Sequence, residues 1–127
     1  MKFFISCLAI LLATCTQASA QSIYGSIPMP KSEKGGIKSA EIMVYGNCGM
    51  CERRIEGALK ELSGVRTADW STESKMLSVS YDSKKVTLME IKEKVASVGH
   101  DTDEVRAPDA VYNALHGCCK YERPAKL

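Results

Sequence analysis

The chain has 127 residues with 17 basic and 15 acidic side chains, so its formal net charge at neutral pH is only +2. A nucleic-acid-binding domain needs a basic patch or stripe, and the sequence contains no such stripe, so nucleic acid is excluded as a partner. The length predicts one domain with short extensions.

Residues 1–20 have the three features of a secretory signal peptide. A basic start at Lys2 precedes an apolar run over residues 3–13, and small residues at 18–20 form a cleavage signal. The apolar run is too short for a stable membrane span, and no later segment is long and apolar enough to provide one. We therefore expect export to the periplasm, with the mature protein beginning at Gln21. A buried N-terminal helix is the alternative.

Cys15 allows a second interpretation of the leader. Residues 12–15 read Leu-Ala-Thr-Cys and resemble a bacterial lipoprotein box, although Thr14 stands where glycine, alanine or serine is expected. Lipid attachment at Cys15 would anchor the protein without changing its chemistry. Residues 21–37 contain two prolines and a glycine pair among polar residues, which predicts a linker.

Residues 38–106 have the alternating patterns of a small α+β domain. In chain order, the patterns predict a strand over 39–45, a helix over 51–62, strands over 65–70 and 76–82, a helix after Thr87 and a weakly patterned strand over 100–106. The order β-α-β-β-α-β is the ferredoxin-like arrangement. It predicts a four-stranded antiparallel sheet with both helices on one face.

Local signals mark the ends of the two helices. Thr87 followed by Glu90 is a capping box that predicts the start of the second helix. Gly64 and Gly99 stand where the two helices are expected to end, since glycine readily adopts the left-handed conformation of a helix C-terminus.

Residues 107–127 form a tail that contains cysteine and histidine. Val111, Leu115 and Cys118 lie on one face of a predicted short helix, and His116 precedes the adjacent pair Cys118 and Cys119. Residues 120–127 are polar, and we expect them to fray.

The cysteines outside the leader form two tight pairs. Six cysteines are present, and Cys7 and Cys15 lie within the leader. The other four are the pairs Cys48 with Cys51 and Cys118 with Cys119. An even number in an exported protein favours disulfides, whereas tight pairs are also the way in which chelating sites are built.

Cys48 and Cys51 fall in the loop between the first strand and the first helix. At a helix N-terminus the free amides and the helix dipole favour negative charge, so the pKa of a thiol there is lowered. Two thiolates suit soft ions such as Cu(I) and Hg(II). This spacing therefore predicts a metal site.

Cys48-x-x-Cys51 after the first strand of a β-α-β-β-α-β pattern resembles the heavy-metal-associated domain family. The family includes copper chaperones, the N-terminal domains of copper-pumping ATPases and periplasmic mercury-binding proteins. The likeness covers residues 38–106, and the residues that carry it besides the two cysteines are Ile55, Glu56, Leu59, Gly64, Val65, Tyr81, Asp82, Ile91 and Gly99.

The resemblance implies a non-enzymatic protein of copper homeostasis or resistance. It would bind Cu(I) through Cys48 and Cys51 and carry or sequester it by thiol ligand exchange. The implied partners are a metal-efflux component or a copper-receiving protein, and an exposed two-thiolate site also allows a metal-bridged dimer.

The sequence departs from the family pattern at two positions. Gly46 stands where the family usually has a methionine that supports the metal loop, and Met50, between the cysteines, is not expected to replace it. The loop is therefore expected to be looser. His100 follows the glycine that ends the second helix, in a loop expected beside the metal loop, so it is a candidate extra ligand, with a solvated histidine as the alternative.

Several alternatives remain open at this point. The same fold could scavenge Hg(II), the pair Cys48 and Cys51 could act on disulfides, or the four cysteines could form a disulfide or Zn(II) staple in an interaction module. A bond between neighbouring cysteines would be strained. His116, Cys118 and Cys119 could therefore join the loop site, form a second site, bond elsewhere or remain buried thiols.

Overall fold

The computed structural model describes residues 36–126. The predicted signal peptide over 1–20, the possible lipid site at Cys15 and most of the predicted linker lie outside the described residues. Within the described part, no helix combines the length and apolar character needed to cross a bilayer.

The described chain forms a three-stranded sheet, two longer helices and a structured tail. The elements are β1 (Ile37–Met43), α1 (Gly49–Lys60), β2 (Val65–Trp70), β3 (Met76–Asp82), α2 (Leu88–Ser97), α3 (Asp109–Asn113) and a 3-10 turn (Gly117–Cys119). The predicted bounds of β2 and β3 are confirmed. Both β1 and α1 start two residues earlier than their patterns predicted, since the predictions began at residues 39 and 51.

The sheet is antiparallel and has the order β1-β3-β2. Val79 in the central strand pairs with Ala40 on one side and with Ala68 on the other. Leu77, Val79 and Tyr81 alternate with more exposed residues along β3, as expected for a strand with one face on the core.

The predicted fourth strand over 100–106 is wrong in extent. Within the described residues, only one bridge, between Val44 and Thr102, continues the sheet beyond β1. The reason is local, because the Thr102 hydroxyl accepts the amide of Val105 at 2.8 Å and the Thr102 amide donates to the Val105 carbonyl. These bonds turn the backbone away from β1 before a ladder can form. The segment nevertheless lies at the edge where the fourth strand was expected.

Both helices contribute to one buried cluster against the sheet. Ile55 and Leu59 of α1 and Ile91 and Val95 of α2 have no solvent-accessible surface. Burying a large aliphatic side chain of this kind stabilises the fold by about 1.5–3 kcal/mol. The periodic stripes in the sequence therefore predicted the core faces of the helices.

The capping box of α2 is confirmed. The Thr87 hydroxyl accepts the Glu90 amide, and the Glu90 carboxylate accepts the Thr87 amide at 2.7 Å. At the other end, Gly99 has a φ of +100°, which favours glycine. A methyl group at Gly99 would lie 3.0 Å from the Leu115 side chain, so the tail packs closely on this turn.

The tail differs from its prediction in two ways. The single helix expected to reach Cys118 is replaced by the short α3 and a separate 3-10 turn, because His116 adopts an extended conformation with ψ of 150°. The expectation that residues 120–127 fray is wrong at Tyr121, which is only 4% exposed, and Leu127 lies outside the described residues. The tail is thus a packed part of the domain.

Candidate metal centre

Cys48 lies at the N-terminal end of α1 and is the N-cap residue of that helix. The backbone amides of Cys51 and Met50 at the start of α1 lower the pKa of the thiol to about 7. Burial opposes this shift only in part, because the side chain is half-buried. The helix terminus therefore supplies a thiolate near neutral pH, as the position predicted.

Cys51 lies one turn into α1 and is fully buried. Its Sγ is 3.9 Å from the Sγ of Cys48, and the backbone amide of Asn47 donates to it at 3.4 Å. The two sulfurs thus face one another at the start of the helix, with Cys48 toward solvent and Cys51 toward the core.

Trp70 supports the loop where the family pattern has a methionine. Gly46 is buried, and a methyl group in its place would lie 2.9 Å from the Trp70 ring and 3.1 Å from the Cys51 side chain. The indole nitrogen also donates to the Val44 carbonyl at 3.1 Å. The ring therefore fills the space beside Gly46, while the looser loop stays a prediction. Met50 does not provide this support, because it is 38% exposed.

The tail brings a second pair of sulfurs to the loop. The Sγ atoms of Cys48, Cys118 and Cys119 all lie within 4.8 Å of one another, and those of Cys118 and Cys119 are 4.0 Å apart. Cys118 is exposed and lies 3.5 Å from the Met50 sulfur, whereas Cys119 is fully buried. All four described cysteines are free thiols. Residues far apart in sequence thus form one sulfur cluster.

Cys119 differs from Cys48 in its proton affinity. Burial and the neighbouring thiol of Cys51 raise the pKa of Cys119 to about 12. No helix terminus offers amides to this sulfur in the way that α1 does to Cys48. Cys119 is therefore a protonated thiol at neutral pH, and it would lose its proton on binding a metal.

The structure does not place the two histidines in the sulfur cluster. His100 is fully buried rather than solvated, and its Nδ1 lies 2.8 Å from the Tyr45 carbonyl oxygen. Burial lowers the pKa of His100, and its Nε2 has no hydrogen-bond partner among residues 36–126. His116 is exposed. Among the described residues, the compact group of potential ligand atoms consists of cysteine sulfurs alone.

Sequence reasoning missed the residues that hold the tail in place. Arg123 donates to the Asp101 carboxylate from Nε at 2.8 Å and from Nη2 at 2.6 Å. The Tyr121 hydroxyl accepts the Asp101 amide at 2.8 Å and donates to the Gly99 carbonyl at 2.9 Å. We call Tyr121 and Arg123, with their contacts to residues 99–101, the tail anchor. In the sequence, the tail anchor could have been recognised only from Tyr121, an aromatic residue in an otherwise polar terminus.

The spacing of the sulfurs suits a thiophilic ion. With metal–sulfur bonds of about 2.3 Å, sulfurs around a three- or four-coordinate ion are about 3.8–4.0 Å apart. The two measured sulfur–sulfur distances within the pairs, 3.9 Å and 4.0 Å, match this value. The cluster can therefore bind an ion with small side-chain movements.

Comparisons with known proteins match the part of the chain that contains Cys48 and Cys51. A family model described as "Heavy-metal-associated domain" matches residues 47–101. The copper chaperone CopZ of Staphylococcus aureus is 36% identical over 55 residues, which are 43% of this chain and 81% of the chaperone. A zinc-transporting ATPase of Synechocystis is 31% identical over 77 residues, and the match spans 60% of this chain but only 11% of the ATPase.

A solved structure described as "CopZ metallochaperone" supports the fold. It superposes with a TM-score of 0.50 at 33% identity, covering 51% of this chain and 98% of that protein. This likeness supports a ferredoxin-like fold for the matched half of the chain.

Proposed function

Because the chain belongs to the heavy-metal-associated domain family, we propose that it binds Cu(I) through Cys48 and Cys51 and carries or sequesters the ion in the periplasm. The observation that supports this most directly is the pair of facing sulfurs, 3.9 Å apart, at the N-terminus of α1. Sulfur is the ligand that Cu(I) prefers. The relatives named above, a copper chaperone and a zinc-transporting ATPase, handle metal ions.

The proposed mechanism is ligand exchange rather than catalysis. Cys48 is poised as a thiolate, and Cys51 binds beside it as its proton leaves. A thiolate of an efflux component or copper-receiving protein then forms a bond to the ion as one bond to the carrier breaks, and the ion remains Cu(I) throughout. Such a transfer needs no general acid or base, and no catalytic residue is proposed.

Export is proposed from the leader alone. The basic start, apolar run and cleavage signal of residues 1–20 support a periplasmic protein. Fractionation of cells followed by intact mass measurement tests this. A mass that begins at Gln21 supports export, a lipidated Cys15 would mean an anchored form, and an uncleaved cytoplasmic chain would contradict both.

Zn(II) is the second candidate ion, and a specific observation favours it. The sulfurs of Cys48, Cys118 and Cys119 lie within 4.8 Å of one another and that of Cys51 lies 3.9 Å from Cys48, and tetrahedral four-thiolate sites are typical of structural Zn(II). Hg(II), which is also thiophilic, and a thiol-disulfide function remain further alternatives. Competition of Zn(II) and Hg(II) against Cu(I), together with insulin reduction by the metal-free thiol form, separates these functions.

Anaerobic titration with Cu(I) against a competing chelator tests the proposal directly. We expect Cys48→Ser/Cys51→Ser to lower the affinity by at least about 100-fold, since two soft ligands are removed at once. Met89→Ser is the matched control, because it removes an exposed sulfur far along the chain from both cysteine pairs. Equal affinity of the double variant and the wild type would overturn the proposal.

A further inference from the structure

We propose that the C-terminal segment closes over the metal loop and supplies Cys118 and Cys119 as further ligands to the ion bound at Cys48. This inference rests on the proposed function and concerns the same site. The domain would then retain its cargo in a closed site with three or more sulfurs, in contrast to an open site with two.

Cys48 lies close to the other three cysteine sulfurs. Its Sγ is 3.9 Å from that of Cys51 and within 4.8 Å of those of Cys118 and Cys119. An ion bound to Cys48 therefore has tail sulfurs within reach after small rotations of side chains. Free thiols this close to a soft ion compete with every external ligand at a high effective concentration.

The tail also contacts the metal loop directly. The Asn47 side-chain amide donates to the Lys120 carbonyl at 2.8 Å, beside the first loop cysteine. The Cys51 thiol lies 4.0 Å from the Cys119 carbonyl oxygen, and the Cys118 thiol lies 3.5 Å from the Met50 sulfur. The tail is thus fixed against the loop at Cys118, Cys119 and Lys120.

The tail anchor holds the tail in place from outside the sulfur cluster. The Arg123 guanidinium pairs with Asp101, whose side chain is 1% exposed, and with Asp109. The Tyr121 ring packs against His100 with ring centres 5.7 Å apart. Arg123 also donates to the Ala107 carbonyl at 2.7 Å. None of these groups is a thiol, so the tail is positioned before any metal arrives.

The functional consequence is slower release. A partner's thiolate reaches an ion in an open two-sulfur site without displacing protein. In the closed arrangement it must displace a tail sulfur or wait until the tail detaches from residues 99–101. The closed site therefore favours storage, and opening of the tail favours transfer.

The test uses the full exported chain loaded with one equivalent of Cu(I). We expect Cys118→Ser/Cys119→Ser to retain one ion on Cys48 and Cys51, with affinity at least about tenfold lower because intramolecular ligands are lost. X-ray absorption should count two sulfur ligands in this variant and three or more in the wild type. Because Cys119 is buried, Cys118→Ser alone, at an exposed position, provides a variant that leaves the core intact.

A second variant tests the anchor without touching a ligand. Arg123→Met should speed Cu(I) loss to excess chelator by about tenfold, because the unanchored tail detaches more often. Its circular dichroism should show the domain still folded. Arg66→Met, at an exposed position on β2, is the matched control and should release Cu(I) at the wild-type rate.

The failures of the two proposals can be told apart. A two-sulfur wild-type site, or unchanged affinity in the tail double variant, would overturn this inference while leaving the proposed function in place. Unchanged affinity in Cys48→Ser/Cys51→Ser would overturn the proposed function itself.

Discussion

The two cysteine pairs reach the same cluster by opposite routes. Cys48 and Cys51 are placed by one helix N-terminus, so a short stretch of chain determines their geometry. Cys118 and Cys119 lie in a three-residue turn with little geometry of its own, and contacts of Tyr121 and Arg123 with a distant segment determine where they lie.

The difference extends to chemistry. Backbone amides lower the pKa of Cys48 to about 7, whereas burial raises that of Cys119 to about 12. One residue type thus serves as a ready thiolate in one pair and as a protonated thiol in the other. The helix terminus thus lowers the pKa of its thiol and favours the thiolate, whereas burial raises the pKa of the tail thiol and favours the protonated form.

The largest expected effect concerns the support of the loop pair. Trp70→Ala should lower the free energy of unfolding by about 3–5 kcal/mol, because it leaves a large cavity beside Gly46 and Cys51. Urea denaturation measures this, and Trp70→Phe should lose less because most of the ring volume remains. A loss below about 1 kcal/mol would mean that the loop is held without the ring.

Thiol labelling tests the chemical difference between the pairs. At pH 7, iodoacetamide should modify Cys48 at least about 100-fold faster than Cys119, because thiolate fraction and access both favour Cys48. Peptide mass spectrometry after timed quenching gives the rates. In urea, Cys48 and Cys119 should be labelled at similar rates. Equal rates in the folded protein would contradict the difference in thiolate fraction and access between them.

The anchor of the tail pair should weaken in acid. Burial raises the pKa of Asp101, but the hydrogen bonds of Arg123 and of the Ala107 amide outweigh this and leave the pKa below its ordinary value of 3.8. The contribution of Asp101 to stability is therefore complete above pH 3.8 and is lost as the pH falls further. Urea denaturation between about pH 5 and about pH 3 should show a steeper loss of stability for the wild type than for Asp101→Asn. Parallel curves would show that the pair does not hold the tail.

The smallest expected effect is a control on both pairs. Thr87→Ala removes the cap of α2 and should cost about 1 kcal/mol of stability. The ratio of labelling rates between Cys48 and Cys119 should stay at its wild-type value, since neither cysteine belongs to that helix. A changed ratio would show that the two pairs respond to global stability rather than to their own surroundings.

The sequence predicted features that depend on neighbouring residues. The bounds of β2 and β3, the capping box at Thr87 and the placement of Cys48 at a helix start all follow from periodicity or short-range hydrogen bonding. That Cys48 and Cys51 bind metal, and that the domain extends over residues 38–106, stay predictions.

The features that were missed depend on distant contacts. Trp70 replaces the support expected from a methionine near Gly46, a substitution that only the packed structure reveals. The fourth strand was predicted too long because Thr102 forms a local turn. The tail was expected to fray because the pairing of Arg123 with Asp101 joins residues far apart in the chain and produces no periodic pattern. Long-range ion pairs leave no pattern in a single sequence.

The 3.9 Å separation of the Cys48 and Cys51 sulfurs also bears on how the two thiols respond to an oxidant. A disulfide bond is about 2.05 Å long, so a modest approach of the two atoms is enough to form one once an oxidant removes two electrons. A sulfur that binds an ion does so with a lone pair that it would otherwise use to react with an oxidant. Occupancy by a soft metal and oxidative damage therefore exclude one another, and the filled protein should outlast the empty one.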